Sequence, residues 1–108
     1  MKNKVNLIGR IGSNPESKKL DSGKTVTRFS LATDDSWKDQ KGEIQTDTQW
    51  HQVVMWGREG LIEKLQKGKE YHIEGKLMYD SYEIKKENGQ PQKIKKAEIV
   101  LTDLDFIS

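Results

Sequence analysis

Residues 48–57 have the sequence TQWHQVVMWG, which is rich in strand-forming residues and carries two tryptophans six positions apart. Successive side chains of an extended strand point to opposite faces, so one face of this strand carries Trp50, Gln52, Val54 and Trp56. The opposite face would hold His51, Val53 and Met55. Because a polar glutamine stands at the centre of the tryptophan face, we do not expect that face to be simply protein interior.

A short helix is predicted directly after this strand, at residues 58–67. Its apolar stripe consists of Leu61, Ile62 and Leu65. Gly68 suits the left-handed backbone conformation that commonly follows the end of a helix. The strand is therefore followed by one helix and a sharp turn.

Four further strands are predicted from the apolar pattern, two before the helix and two after it. They cover residues 5–11, residues 24–33, residues 70–85 and a return strand around Ile99. An Asn-Gly turn at residues 88–89 joins the last two as a hairpin. Five strands, with one helix between the third and the fourth, are typical of an all-β, five-stranded Greek-key barrel, the OB fold. We therefore predict one OB-fold domain over residues 1–108.

Composition narrows the class of protein. A length of 108 residues suits one domain, and only 32% of the residues are hydrophobic, so the core is thin unless a second subunit completes it. The net charge of +2 does not by itself indicate a nucleic-acid binder. The chain has no cysteine, no apolar run of membrane length and no secretion signal. We expect a soluble cytoplasmic protein without a metal, cofactor or membrane partner.

Three tryptophans and three tyrosines are more than a thin core obviously needs. Trp37 stands in a polar stretch, residues 34–45, that is predicted to be a loop, and Tyr82 lies near the tip of the predicted hairpin. Exposed aromatic rings can stack on unpaired bases of any sequence, and each stacked base contributes about 1–3 kcal/mol. These aromatic residues are therefore candidate platforms for single-stranded nucleic acid.

Packing is the alternative role for the same residue type. A tryptophan on a strand is more often a core or interface residue than a ligand platform. The pattern alone therefore leaves both roles open for Trp50 and Trp56. Tyr71 and Tyr79 share the parity of the apolar Ile73, which predicts packing for these two tyrosines.

Charge is distributed unevenly along the chain. The hairpin at residues 82–96 has a net charge of +3 and would offer a track for phosphates, with Lys85, Lys86 and Lys93 as candidate contacts. A solvated lysine-rich hairpin is the plainer alternative. Residues 34–47 have a net charge of −3, which disfavours phosphate binding there. The electrostatic argument is therefore mixed.

Four stretches of the chain resemble the bacterial single-stranded DNA-binding proteins. They contain LIGRIG at residues 7–12, FSLAT at residues 29–33, TQWH at residues 48–51 and IEGKL at residues 73–77. The stretches follow the order and spacing of the family and span nearly the whole chain.

The resemblance implies an OB-fold protein that binds and protects single-stranded DNA during replication, recombination and repair, without catalysis. It implies base stacking by four aromatic residues: Trp37, Trp50, Trp56 and Tyr82. Arg58 and Lys67 match basic positions of the family, and His51 matches a position near the subunit interface. The family is commonly homotetrameric, although the sequence leaves a dimer open.

The chain also departs from the family pattern. The family often has basic residues around the positions of Gln52, Asp80 and Ser81, so we expect weaker phosphate attraction than in a typical member. Family members usually continue into a flexible linker with an acidic tip, whereas this sequence stops at Ser108. We expect a short form without that tail, and recruitment of replication or repair enzymes by a tail only if one has been removed.

Three other functions compete with this interpretation. An OB-fold protein-interaction module of a replication or primosome assembly would use the aromatics as an interface. A nuclease would need clustered carboxylates, but the acidic residues are scattered among lysines. Binding of RNA is not distinguished by stacking, because contacts to the 2′-hydroxyl leave no mark in a sequence.

Overall fold

The computed structural model describes residues 2–108, and the side chain of Tyr82 lies outside that description. The elements follow in the order β1 (Val5–Ile11), β2 (Glu16–Lys19), β3 (Thr25–Lys38), β4 (Ile44–Trp56), α1 (Glu59–Ile62), β5 (Glu70–Lys85) and β6 (Pro91–Phe106). β1 and β5 have the predicted bounds. β2 is an additional short strand, which forms a hairpin with the beginning of β3.

The five long strands close into a barrel. They lie in the order β1-β5-β6-β4-β3, and β1 also pairs with β3 at Arg10–Ala32 and Ile11–Leu31. Only β4 and β6 pair in parallel among these strands. β2 is attached to the edge of β3, outside the ring. The predicted five-stranded Greek-key OB fold is therefore confirmed.

Alternate side chains of the long strands fill the barrel. The most deeply buried include Ile11, Leu31, Val53, Met55 and Ile73. Tyr71 is buried with them, as predicted. Its hydroxyl donates to the carbonyl oxygen of Lys64 and accepts the N–H of Gln66 at 3.0 Å. This tyrosine ties the segment after α1 to the end of the barrel.

The helix is one turn long, shorter than the predicted span of residues 58–67. Beyond Ile62 the backbone continues as turns, in which the N–H groups of Lys64 and Leu65 bond to carbonyls three residues earlier. The carbonyl of Lys64 and the N–H of Gln66 bond to Tyr71 instead of continuing a helix. Leu65 is nevertheless buried, as the predicted stripe requires. Gly68 has a φ of 86°, which confirms its predicted left-handed conformation.

Most of the predicted loop at residues 34–45 is strand. Trp37 lies on β3 and pairs with Gln45 of β4. Both faces of this hairpin are exposed, so its sequence shows no alternation of apolar and polar residues from which strands could be predicted. The strands are stabilised by backbone hydrogen bonds between β3 and β4. Its turn is organised by Asp39, whose carboxylate accepts the N–H groups of Lys41 and Glu43 at 2.9 Å. The bond from Glu43, and a second from the Gln45 side chain, hold the pKa of Asp39 below its ordinary value.

Two hairpin arms project from the barrel. One is the outer part of β3 and β4, and the other is the outer part of β5 and β6 beyond the pair of Leu77 and Ile99. The radius of gyration is 16.9 Å, whereas a compact domain of this length would have about 13 Å. The difference reflects these arms.

We predict that Gly9→Ala destabilises the barrel at its closure. A Cβ at Gly9 would lie 2.3 Å from the carbonyl oxygen of Ala32, a backbone atom that cannot rotate away. Overpacking of this kind costs about 1–3 kcal/mol, which denaturant unfolding would measure. Gly60→Ala is the matched control, because its Cβ would meet nothing within 4 Å. Equal unfolding midpoints for the two variants would contradict the prediction.

Candidate nucleic-acid interface

The outward side chains of β4 and their neighbours on β3 and β6 form what we call the tryptophan face. It contains Trp50, which is 60% exposed, and Trp56, which is 46% exposed. The two tryptophans are six residues apart on one strand, which places them about 20 Å apart at the usual rise of an extended chain. The exposed Gln52 lies between them. This face is therefore exposed, as its central glutamine predicts, and it presents two separated aromatic surfaces.

Trp50 lies against Gly12, at the end of β1. A Cβ at Gly12 would be 2.2 Å from Cζ3 of the indole. The same indole borders a groove of about 190 Å³ that Gln52, Leu77 and Lys96 also line. The absence of a side chain at residue 12 therefore lets the Trp50 indole pack against the chain just after β1, beside this groove.

Trp56 borders a larger concave site of about 350 Å³. The turn before β3, at residues 23–25, forms one wall, and Glu59 belongs to the other. The hydroxyl of Thr25 donates to Oε1 of Glu59 at 2.6 Å, which fixes the two walls to each other. The indole therefore stands at the rim of a preformed recess with Lys24 beside it.

The arms carry two more exposed aromatic residues. Trp37 is 52% exposed. It is an even number of residues from Leu31 on β3, so both side chains point to the same side of the sheet, whereas Trp50 is paired with Ala32 and points to the opposite side. Tyr79 is 65% exposed, so its predicted packing role is wrong. It keeps the inward parity of Leu77 but lies beyond the end of the barrel. The predicted β5 is longer than a strand of a small barrel needs to be. That excess length is the sequence signal from which the exposure of Tyr79 could have been predicted.

The predicted cations are exposed but do not form one track. On the β5–β6 arm Lys93 pairs in register with Glu83, and Lys85 with Pro91, while Lys86 lies next to the turn. The backbone of Tyr82 pairs with Ile94, and its side chain lies outside the described part of the structure. Because Glu83 lies opposite Lys93, the attraction of this arm for phosphates is reduced.

Two other predicted cations stand near the ends of the tryptophan face. Arg58 follows Trp56 by two residues and is exposed. Lys67 precedes Gly68, whose N–H donates to the carbonyl oxygen of Ile11 at 2.8 Å. The next residue after Ile11 is Gly12, which lies against Trp50, so Lys67 is near this end of the tryptophan face. Each tryptophan therefore has a predicted cation in its neighbourhood.

The structure adds a charged pair that the sequence analysis missed. Nη1 of Arg28 is 2.7 Å from Oε1 of Glu98. Arg28 is paired with Val54, so the ion pair lies between Trp50 and Trp56 along β4. These residues are 70 positions apart in sequence, so only the strand order brings them together. His51 is half-buried on the inward side of β4, where its Nε2 lies 2.9 Å from Oγ1 of Thr33.

Residues 2–108 contain neither a cluster of metal-ligating side chains nor a membrane-spanning helix. Within that range no group of three or more His, Asp or Glu residues could hold a metal ion. No helix of the same range is long and apolar enough to cross a membrane.

The chain is similar to known proteins in both sequence and fold. The profile of the single-strand binding protein family matches residues 2–107. The "Single-stranded DNA-binding protein 1" of Chlorobaculum tepidum is 39% identical over 107 residues, covering 97% of this chain and 64% of its own length. A single-stranded DNA-binding protein of Xanthomonas campestris is 45% identical over 82 residues, covering 74% of this chain and 48% of its own length. This chain thus spans about half to two thirds of those relatives.

Two solved structures have the same fold. The complex of a Plasmodium falciparum SSB with single-stranded DNA superposes with a TM-score of 0.80 at 36% identity, covering 100% of this chain and 96% of that one. A deletion mutant of the single-stranded DNA binding protein from Thermus aquaticus superposes with a TM-score of 0.78 at 25% identity, covering 99% of this chain and 51% of that one.

Gly12→Ala should displace the Trp50 indole while leaving the fold intact. The clash falls on the far end of a largely exposed side chain, which can turn aside, rather than on backbone. With Trp37 and Trp56 replaced by Phe, emission from the remaining Trp50 should shift in Gly12→Ala and stay unchanged in Gly60→Ala. An unshifted spectrum in Gly12→Ala would refute the proposed contact.

Proposed function

The chain belongs to the single-strand binding protein family, and we propose that it binds single-stranded DNA without sequence preference and without catalysis. The observation that carries this proposal is the pair of exposed tryptophans about 20 Å apart on one strand of the barrel. Each ring can stack on a base of any identity. Trp37 on its arm, and Tyr82 as the sequence predicts, would extend the contact beyond the barrel.

Phosphate contacts would supplement stacking. Arg58 and Lys67 stand near the two ends of the tryptophan face, and Lys85, Lys86 and Lys93 are spread along the β5–β6 arm. The net charge of +2 is small, and Glu83 lies opposite Lys93. We infer that stacking provides most of the affinity and that phosphate attraction is weak. The cellular role would be protection of single strands in replication, recombination and repair, in the cytoplasm at the nucleoid.

We further infer that the chain assembles into a homotetramer, with a dimer as its building unit. β1 pairs with β3 only at Arg10 and Ile11, so residues 5–9 have one unpaired edge. Such an edge pairs readily with another strand. The exposed Ile8 lies in the middle of this segment and would be buried by a second copy. His51 at a subunit interface stays a prediction from the family resemblance. Recruitment of replication or repair partners by a tail would apply only to a longer form.

Titration with poly-dT, followed by tryptophan emission, tests the binding proposal. We expect strong quenching and an affinity that falls as salt rises. Trp50→Ala and Trp56→Ala should each cost about 1–3 kcal/mol of binding free energy. Trp50→Phe is the matched control and should lose less, because a ring remains. A wild-type protein that shows no quenching at low salt would instead favour an OB-fold protein-interaction module.

Light scattering tests the assembly. Ile8→Asp puts a charge on the open edge of β1 and should reduce the mass in solution from that of a tetramer to that of a smaller species. Ile44→Asp is the control, since Ile44 is also exposed but lies at the turn of the β3–β4 arm. A wild-type mass of one chain, or an unchanged mass in Ile8→Asp, would contradict the use of this edge.

A further inference from the structure

An ion pair crosses the centre of the tryptophan face. Arg28 on β3 is opposite Val54 of β4, two residues along from the pair of Val26 and Trp56. Its guanidinium bonds to Glu98 on β6 at 2.7 Å. Because β4 lies between β3 and β6 in the sheet, the two side chains meet above β4.

Burial around this pair is asymmetric. Val54 points outward yet is only 2% exposed, and it lies on β4 opposite Arg28, between the strands that carry the pair. The side chain of Arg28 is 51% exposed, whereas that of Glu98 is 13% exposed. The carboxylate is therefore set into the sheet, and the guanidinium lies on the surface between the two tryptophans.

The guanidinium has unused capacity to donate hydrogen bonds. Arginine carries five N–H donors in a planar fork that matches the oxygens of a phosphate. The bond to Glu98 employs one of its nitrogens, and the half-exposed side chain leaves other donors open to solvent. A ligand that runs from Trp50 to Trp56 has to pass within reach of these donors.

Building on the proposed function, we propose that Arg28 contacts a backbone phosphate of DNA bound along the tryptophan face. Glu98 is the positioning residue that holds the guanidinium across β4. It also balances the charge of Arg28, so the pair adds hydrogen bonds to phosphate without adding net positive charge. The central contact is thus neutral overall, unlike the predicted lysine contacts.

The decisive variant is the double substitution Arg28→Gln with Glu98→Gln. The pair has a net charge of zero before and after this change, so only the guanidinium contact is lost. We expect weaker binding to oligo-dT with a nearly unchanged slope of log affinity against log salt, because a pair of zero net charge displaces few counterions from the phosphates. The matched control is Lys4→Gln with Glu74→Gln, which removes a 2.6 Å ion pair between β5 and the residue preceding β1. The control should keep the wild-type affinity as well as the wild-type slope.

Two results would overturn the proposal. If the double variant binds with wild-type affinity, Arg28 has only a structural role, and quenching by the wild-type protein would still support the proposed function. Should the double variant fail to unfold cooperatively, Arg28→Lys takes its place, because it keeps the charge and loses the fork. We expect weaker binding at an unchanged slope for Arg28→Lys, and affinity equal to wild type would overturn the guanidinium contact. A wild-type protein that does not bind oligo-dT would refute the proposed function itself.

Discussion

The close approach of β1 to β3 is the contact on which the rest of the structure depends. At Gly9 the position of a Cβ lies 2.3 Å from a carbonyl oxygen of β3, so the two backbones can meet there only because a side chain is missing. Their meeting turns an open sheet into a barrel. A closed barrel buries one side of every long strand, and a chain with 32% hydrophobic residues can therefore still form a core.

Closure of the barrel also determines which of three environments an aromatic residue occupies. Tyr71 points inward within the length of the barrel and is buried. Trp37 and Tyr79 have inward parity but lie beyond the barrel ends, on arms where no interior exists, and they are exposed. Trp50 and Trp56 point outward from β4. An aromatic side chain is thus buried or exposed according to its distance from the barrel end and the side of the strand to which it points.

The distribution of charge complements this arrangement. Cations on the β5–β6 arm lie among acidic residues, and the arginine at the centre of the tryptophan face is balanced by Glu98. Stacking depends little on salt, whereas phosphate attraction falls as ions compete. In the proposed function, a surface with exposed tryptophans and balanced charges would favour base contacts over long-range attraction. The Trp50 indole lies against Gly12, and the Thr25–Glu59 bond ties together the walls of the recess that Trp56 borders.

The sequence by itself determined the elements in which one strand face is buried and the other is not. The bounds of β1 and β5, the outward Trp50 and Trp56 and the turn at Gly68 all follow from short-range patterns of side chains and backbone conformation. Only the tertiary structure decided the extent of the β3–β4 arm, because a hairpin exposed on both faces has no apolar alternation to reveal it. It also decided that Trp50 rests on Gly12 and that Arg28 meets Glu98. These contacts depend on which strands are neighbours in the closed barrel, and strand order is set by the packing of the whole chain.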